Sequence, residues 1–238
     1  MPVYDLDHII LGVRHLYESA ERLRRETGLR SHEGGWLPVM PTAHRVIPLP
    51  GDVYIGIESV IDHYAELPPG VDAFRRWFEE TTRQGDHWMT WNLRARSYAD
   101  LEAVARRLGG EVIESPGARR PDGSATTTIM APGDAALTWA RGLPNWYYHE
   151  DMDQHPARRT PMTHERPVRG IAWLEIGGDP AEVEEHIGTE TFAALPLRFV
   201  DKEAGLYGVG ILTEDGEEIA IRAEPGAAGL AELAARLG

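Results

Sequence analysis

A chain of 238 residues with 24 Lys plus Arg against 38 Asp plus Glu carries a net charge of −14, which argues against nucleic acid as its main partner. Hydrophobic content of 42% and charged content of 26% mark an ordinary globular protein of one large or two small domains, and no apolar run approaches the roughly 20 residues of a membrane-spanning helix. The absence of cysteine excludes disulfides, thiolate metal sites, iron-sulfur clusters and cysteine nucleophiles, so any metal must be held by nitrogen or oxygen.

Met1 to His8 shows no basic and apolar leader, so a cytoplasmic location is the expectation. All basic residues but Lys202 are arginine, a usage read as the codon bias of a GC-rich bacterial genome. Asp5 to Val13 reads as a strand, followed by a helix with Leu16, Ala20 and Leu23 on one face and a stop at Gly28. Gly34-Gly35 marks a turn, and strands are expected at His44 to Pro48 and Tyr54 to Val60, with a short one near Gly35 to Val39. Leu67 to Gly70 links to a helix over Val71 to Arg83, whose Phe74, Trp77 and Phe78 read as packing.

The order then repeats. Trp88 to Ala95 is expected as a strand, Ala99 to Leu108 as a helix stopped by Gly109-Gly110, and Glu111 to Glu114, Thr126 to Met130 and Ala136 to Ala140 as strands. Val13-Arg14-His15-Leu16 and Ala95-Arg96-Ser97-Tyr98 align the two strand-to-helix junctions at an offset of 82 residues, a weak internal repeat. Leu143 to Pro167 is a loop without periodicity. A strand and helix over Gly170 to Ile187 follow, then strands at Leu197 to Val200, Leu206 to Thr213 and Glu218 to Ala223, and a tail helix over Ala227 to Leu237. The expected division is a first module over 1–66, a connecting helix over 67–84, a second module over 85–148, a loop over 149–168 and a C-terminal strand-helix extension over 169–238, together one compact domain.

P-loop, dinucleotide and Gly-x-Ser-x-Gly patterns are absent, which removes ATP, NAD and acyl-serine chemistry. His44, Arg45 and Arg94 lie on expected strands and are candidates to hold an anionic substrate. His149, Glu150, Asp151, Asp153 and His155 share one loop, but no helix enforces a ligand spacing, so the cluster reads as a solvated acidic loop. Trp146, with Tyr147 and Tyr148, is a candidate to cap a cavity by stacking on a planar ligand.

The opening Leu6-Asp7-His8-Ile9-Ile10-Leu11-Gly12-Val13, the strand Arg45 to Leu49 ending in Pro-Leu and the strand Tyr54 to Val60 resemble the glyoxalase-like domain branch of the vicinal oxygen chelate superfamily. Trp91-Asn92-Leu93-Arg94, Arg120-Pro121-Asp122-Gly123 and His155-Pro156 extend the resemblance, which spans Tyr4 to about Arg222. It implies an α+β fold of paired βαβββ modules whose curled sheets surround a cavity, with a divalent metal (Zn, Mn, Ni, Co or Fe) held by first-strand and last-strand residues. His8 takes the place of the family's first-strand ligand. Glu58 takes that of the last-strand carboxylate and of the catalytic group, two residues beyond its usual place at Gly56. The offset of 82 carries His8 to Thr90, and Ala136 to Ala140 offers no carboxylate, so two of the four family ligands are present. Thr90 and Trp139 join His44, Arg45, Arg94 and Trp146 as expected substrate-binding residues. The implied function is a metal-assisted lyase or isomerase acting on a small oxygenated molecule; the other class left open is a metal-free binding protein of the bleomycin-resistance type. The implied partner is a small-molecule ligand, with neither nucleic acid nor membrane, and the modules pair within one chain or in a homodimer.

Overall fold

Alternation along β1 (Asp5–Gly12) sends Ile9 and Leu11 to one face and His8 and Ile10 to the other, and the same division sets the whole architecture. The structure, a computed structural model, describes residues 3–132, 135–227 and 229–230. After β1 come α1 (Leu16–Thr27), β2 (His32–Leu37), β3 (Thr42–Leu49), β4 (Val53–Val60), α2 (Pro69–Thr81), β5 (His87–Arg94), α3 (Tyr98–Arg107), β6 (Ile113–Arg119) and β7 (Ala125–Ala131). Then follow α4 (Ala135–Ala140), β8 (Asn145–Tyr148), β9 (Val168–Gly177), α5 (Pro180–Ile187), α6 (Thr189–Ala194), β10 (Leu197–Val200), β11 (Gly205–Thr213), β12 (Glu218–Arg222) and the short β13 (Glu224–Pro225).

Two β-α-β-β-β units share one curled sheet. β1 pairs in parallel with β4 and antiparallel with β5, and the strand order β1-β4-β3-β2-β6-β7-β8-β5 returns to β1, closing a barrel. Closure opposite the β1–β5 junction rests on one register pair, Trp36 with Arg119 between β2 and β6. A smaller sheet of order β10-β9-β11-β12 follows. Its buried Leu174, Ile176, Val209 and Ile211 join Ile9, Leu11, Ile55 and Ile57 and the inner faces of α1 and α3 in one continuous core. Helix α1 is held by Leu16, Ala20 and Leu23 and ends at Gly28, whose φ of 76° lets its N–H reach the Arg24 carbonyl.

Two expected elements differ. Ala136 to Ala140, expected as a strand, belongs to helix α4, in keeping with its alanine content. The last strand of the second unit is instead β8, within the expected loop, where Trp146, Tyr147 and Tyr148 supply aromatic β-formers. Helix α6 has no counterpart among the expected elements. Most of the expected tail helix lies outside the described residues.

A second cluster, Val60, Trp77, Phe78, Met89, Trp139 and Leu230, plugs one end of the barrel with the aromatic face of α2. Ile10 of β1 packs against it from inside. Truncating Trp77, 7% exposed, to alanine leaves a cavity in this plug. The expected cost is about 3–5 kcal/mol, read as a lower midpoint in urea unfolding; an unchanged midpoint would show that the plug carries no stability.

Candidate functional site

Between Leu6 and His8 the β1–β5 register slips by one residue, so Asp7 is the extra residue of a bulge. A bulge breaks the two-residue alternation, and Asp7 and His8 meet: His8 Nδ1 donates to Asp7 Oδ2 at 2.6 Å. The same carboxylate, with 0% exposure, accepts from His149 Nε2 at 3.1 Å and from His155 Nε2 at 3.3 Å. Arg94 Nη1 stands 3.8 Å away and donates to the Asp52 carbonyl at 2.7 Å. Burial pushes the Asp7 carboxyl up, but the charge of His149 and hydrogen bonds from His149, His155 and His8 outweigh it and hold the group well below the ordinary carboxylate range.

The donor to Asp7 fixes the proton of neutral His8 on Nδ1 and leaves Nε2 as an acceptor, 3.0 Å from Asn92 Nδ2. The His8 ring stacks on Tyr54 at 4.8 Å and meets the edge of Tyr147 at 4.6 Å. Asp7, His149 and His155 present one ligand atom each within 4.8 Å of one another, a group able to hold a metal ion.

Further along β4, on the same face as Tyr54, lies Glu58. It is 6% exposed and accepts one side-chain hydrogen bond, from Thr42 Oγ1 at 2.6 Å. Burial pushes its carboxyl up to about 7 against the opposing Thr42 bond. His44 is its cross-strand partner on β3. Burial above all, with the neighbouring His8, Arg159, His32 and Arg120 disfavouring a further positive charge, holds His44 down at about 4, so it is neutral near pH 7. Its buried Nδ1 has no hydrogen-bond partner among the described residues. Its ring occupies the space that a side chain on Gly34 would need, so β2 carries glycine there.

The expected residues divide. His8, His44, Glu58 and Thr90 lie on the strand faces turned inward, with Thr90 Oγ1 donating to the Trp91 carbonyl at 3.2 Å. His8 and Glu58 are not brought together as a chelating pair: His8 is in register with Tyr54 and Glu58 with Gly12, four residues on. That is about 13 Å along a strand, beyond what one ion can bridge. Arg94 is spent on Asp7 and Asp52. Arg45 turns to the outer face, where it pairs with Glu33, donates to Ser31 and lies over Tyr17. Trp139, on α4, packs into the plug. Trp146 is fully buried in the main core against Tyr4 and His186, because alternation along β8 gives the inward place to Tyr147. The loop read as solvated instead delivers His149 and His155 to Asp7. Spacing along the chain carried no signal for that meeting, which joins residues more than 140 positions apart; the Asp of the Leu-Asp-His motif was the one available pointer.

The glyoxalase-like domain family matches residues 6–192. A hypothetical protein from Staphylococcus aureus superposes with a TM-score of 0.55 at 12% identity, covering 92% of this chain and 86% of that one. Methylmalonyl-CoA epimerase from Mycobacterium tuberculosis gives a TM-score of 0.41 at 17% identity over 61% of this chain and 88% of that chain. A variant of the Streptomyces coelicolor methylmalonyl-CoA epimerase, in complex with 2-nitronate-propionyl-CoA, gives 0.43 at 15% identity over 63% and 98%. No curated protein matches the sequence.

Glu58 has a sign-definite effect on stability. Its folded value of about 7 lies above the ordinary 4.5, so the folded chain keeps a proton that the unfolded chain releases. Its burial therefore costs nothing below about pH 4.5, costs progressively more up to about pH 7, and stays costly above. Glu58→Gln is expected to be more stable than the wild type by roughly 3 kcal/mol at pH 8, the gap closing by pH 4.5. Melting curves across pH check this, and a gap independent of pH would refute it.

Proposed function

The chain belongs to the glyoxalase-like domain family, within the vicinal oxygen chelate superfamily, and on that premise we propose that it moves a proton at carbon in a small oxygenated molecule, as an isomerase or lyase. The observation that carries the reading is Glu58: a carboxylate inside the barrel, bonded to one hydroxyl and titrating at about 7. A general base works best with a pKa near the operating pH. Neutral His44, opposite it on β3, supplies the polar partner for the oxygen on which charge develops.

The Asp7, His149 and His155 donors fit a divalent ion. Nε2 to Oδ1 separations of 3.1 and 3.3 Å are those that neighbouring ligands take around an ion with bonds of about 2.1 Å. Two imidazoles and one ionised carboxylate suit Zn, Mn or Fe(II) and leave positions open to substrate oxygens. Loading has a local cost: both imidazoles donate to Asp7 from Nε2, so each Nε2 must give up its proton, and at His155 a proton moved to Nδ1 would face the Ala157 N–H that now donates there at 3.2 Å. When bound, the ion would supply Lewis-acid polarisation of a substrate oxygen. Around it the chain's own residues have separate tasks. Asp7 orients His8, Tyr54 and Tyr147 wall the interior, and Glu58 accepts and returns the proton.

Elemental analysis after incubation with Zn, Mn and Fe(II) should find close to one ion per wild-type chain, lost in His149→Ala and retained in Glu58→Gln. A metal-free wild type would overturn the metal centre and favour the sequestering class. Proton chemistry is read separately, by NMR of deuterium uptake from D2O into a panel of α-hydroxy and α-oxo carbonyl compounds. Uptake should rise with pH through a midpoint near 7 and fall by roughly 100-fold or more in Glu58→Gln. Exchange that is absent from the whole panel, or equal in both proteins, would sink the assignment.

A further inference from the structure

Arg120 follows directly on the last residue of β6, and Arg159 reaches β2 from the loop after β8, so both stand at the seam where the barrel closes through the single Trp36–Arg119 pair. Arg120 is 8% exposed. Its Nη1 donates to Gln154 Oε1 at 2.9 Å and Ser124 Oγ at 3.4 Å, and its Nη2 to the Gln154 carbonyl at 3.1 Å. Its Nε is buried without a partner. Arg159, half-buried, donates from Nη2 to the carbonyls of Glu33 at 2.8 Å and Gly34 at 3.2 Å. Every acceptor on both guanidiniums is neutral.

Among the described residues neither arginine forms an ion pair, whereas Arg24, Arg45, Arg75 and Arg158 each do. Lack of acids is no explanation in a chain with 38 Asp plus Glu. Asp122 is the one acid whose field reaches both, and its carboxylate is turned to the N–H and hydroxyl of Ser124 at 2.9 and 2.6 Å. The two arginines lie close enough to repel one another, and both act on the His44 ring beside Glu58. A buried and a half-buried guanidinium, mutually repelling and with no carboxylate in contact among the described residues, are costly to hold together unless an anion joins them.

We propose that Arg120 and Arg159 form an oxyanion subsite at the β2–β6 seam, which anchors a carboxylate or phosphate of the substrate while its reacting carbon faces Glu58. The subsite deepens the reading of the barrel interior as the reaction site and takes its catalytic meaning from that reading, but anion binding is measurable without turnover. Guanidinium groups suit the task because their planar forks match carboxylate and phosphate oxygens.

Isothermal titration at low salt with malonate, and separately with inorganic phosphate, tests the subsite. One of the two should bind the wild type, identifying the oxyanion as carboxylate or phosphate, and should bind Arg159→Gln roughly tenfold or more weakly, with part of the loss recovered in Arg159→Lys. Arg159→Gln gives up two side-chain bonds to backbone carbonyls, so thermal melts without anion establish that the variant is folded at the temperature of the titration. Glu58→Gln should bind the anion at least as well as the wild type. Failure of either anion to bind the wild type, or equal binding by Arg159→Gln, overturns the subsite. Retained anion binding with no deuterium uptake would instead fault the proton-transfer reading alone.

Discussion

A carboxylate withdrawn wholly from water persists as a charge only where donors surround it, and Asp7 is such a group. Its needs reach across the molecule. The bulge in β1 aims it, His8 answers from its own strand, His149 from just past β8, His155 from the following loop, and Arg94 from β5. Arg94 in turn holds the carbonyl of Asp52, whose carboxylate is gripped by Arg158 through two bonds of 2.6 Å. The loop after β8, whose regular structure among the described residues is the single 3-10 turn Met152–Gln154, is thus fastened to both halves of the barrel through one buried anion.

The barrel interior sets two chemistries side by side. Around Asp7 every titratable neighbour favours its ionised form. Around Glu58 the surroundings offer one hydroxyl, and burial prevails, so the proton is held until near neutrality. Environment, not residue type, separates two buried carboxylates of one barrel into a permanent charge and a proton carrier. The apolar plug of Trp77, Phe78 and Trp139 closes one end of the interior.

Apolar patterning carried most of the architecture in the sequence: α1 and α3 follow spacings set by burial on one face, and β1, β4 and β5 are short runs buried on both. The errors have physical causes. Ala136 to Ala140 alternates weakly enough to pass for a strand, while its alanine content favours helix. That misplacement hid β8, and with it the inward turn of Tyr147 and the outward turn of Trp146. The inward placement of His8, His44 and Glu58 was legible because regular strands fix which way a side chain points. Asp7 was not, since a bulge leaves no mark in a periodicity, and His155 was not, since a tertiary hydrogen bond rather than local structure places it.

The closure through Trp36 and Arg119 has a mechanical meaning. β1 and β5 pair over nearly their full lengths and act as a spine, whereas β2 and β6 share a single ladder pair, backed by the Arg119 guanidinium over the Trp36 ring. Widening the interior along that line breaks one rung rather than a ladder, and leaves the outer core of Ile9, Leu11, Ile55 and Ile57 in place. Strand pairing therefore constrains the width of the interior least along the β2–β6 line and most along the β1–β5 spine.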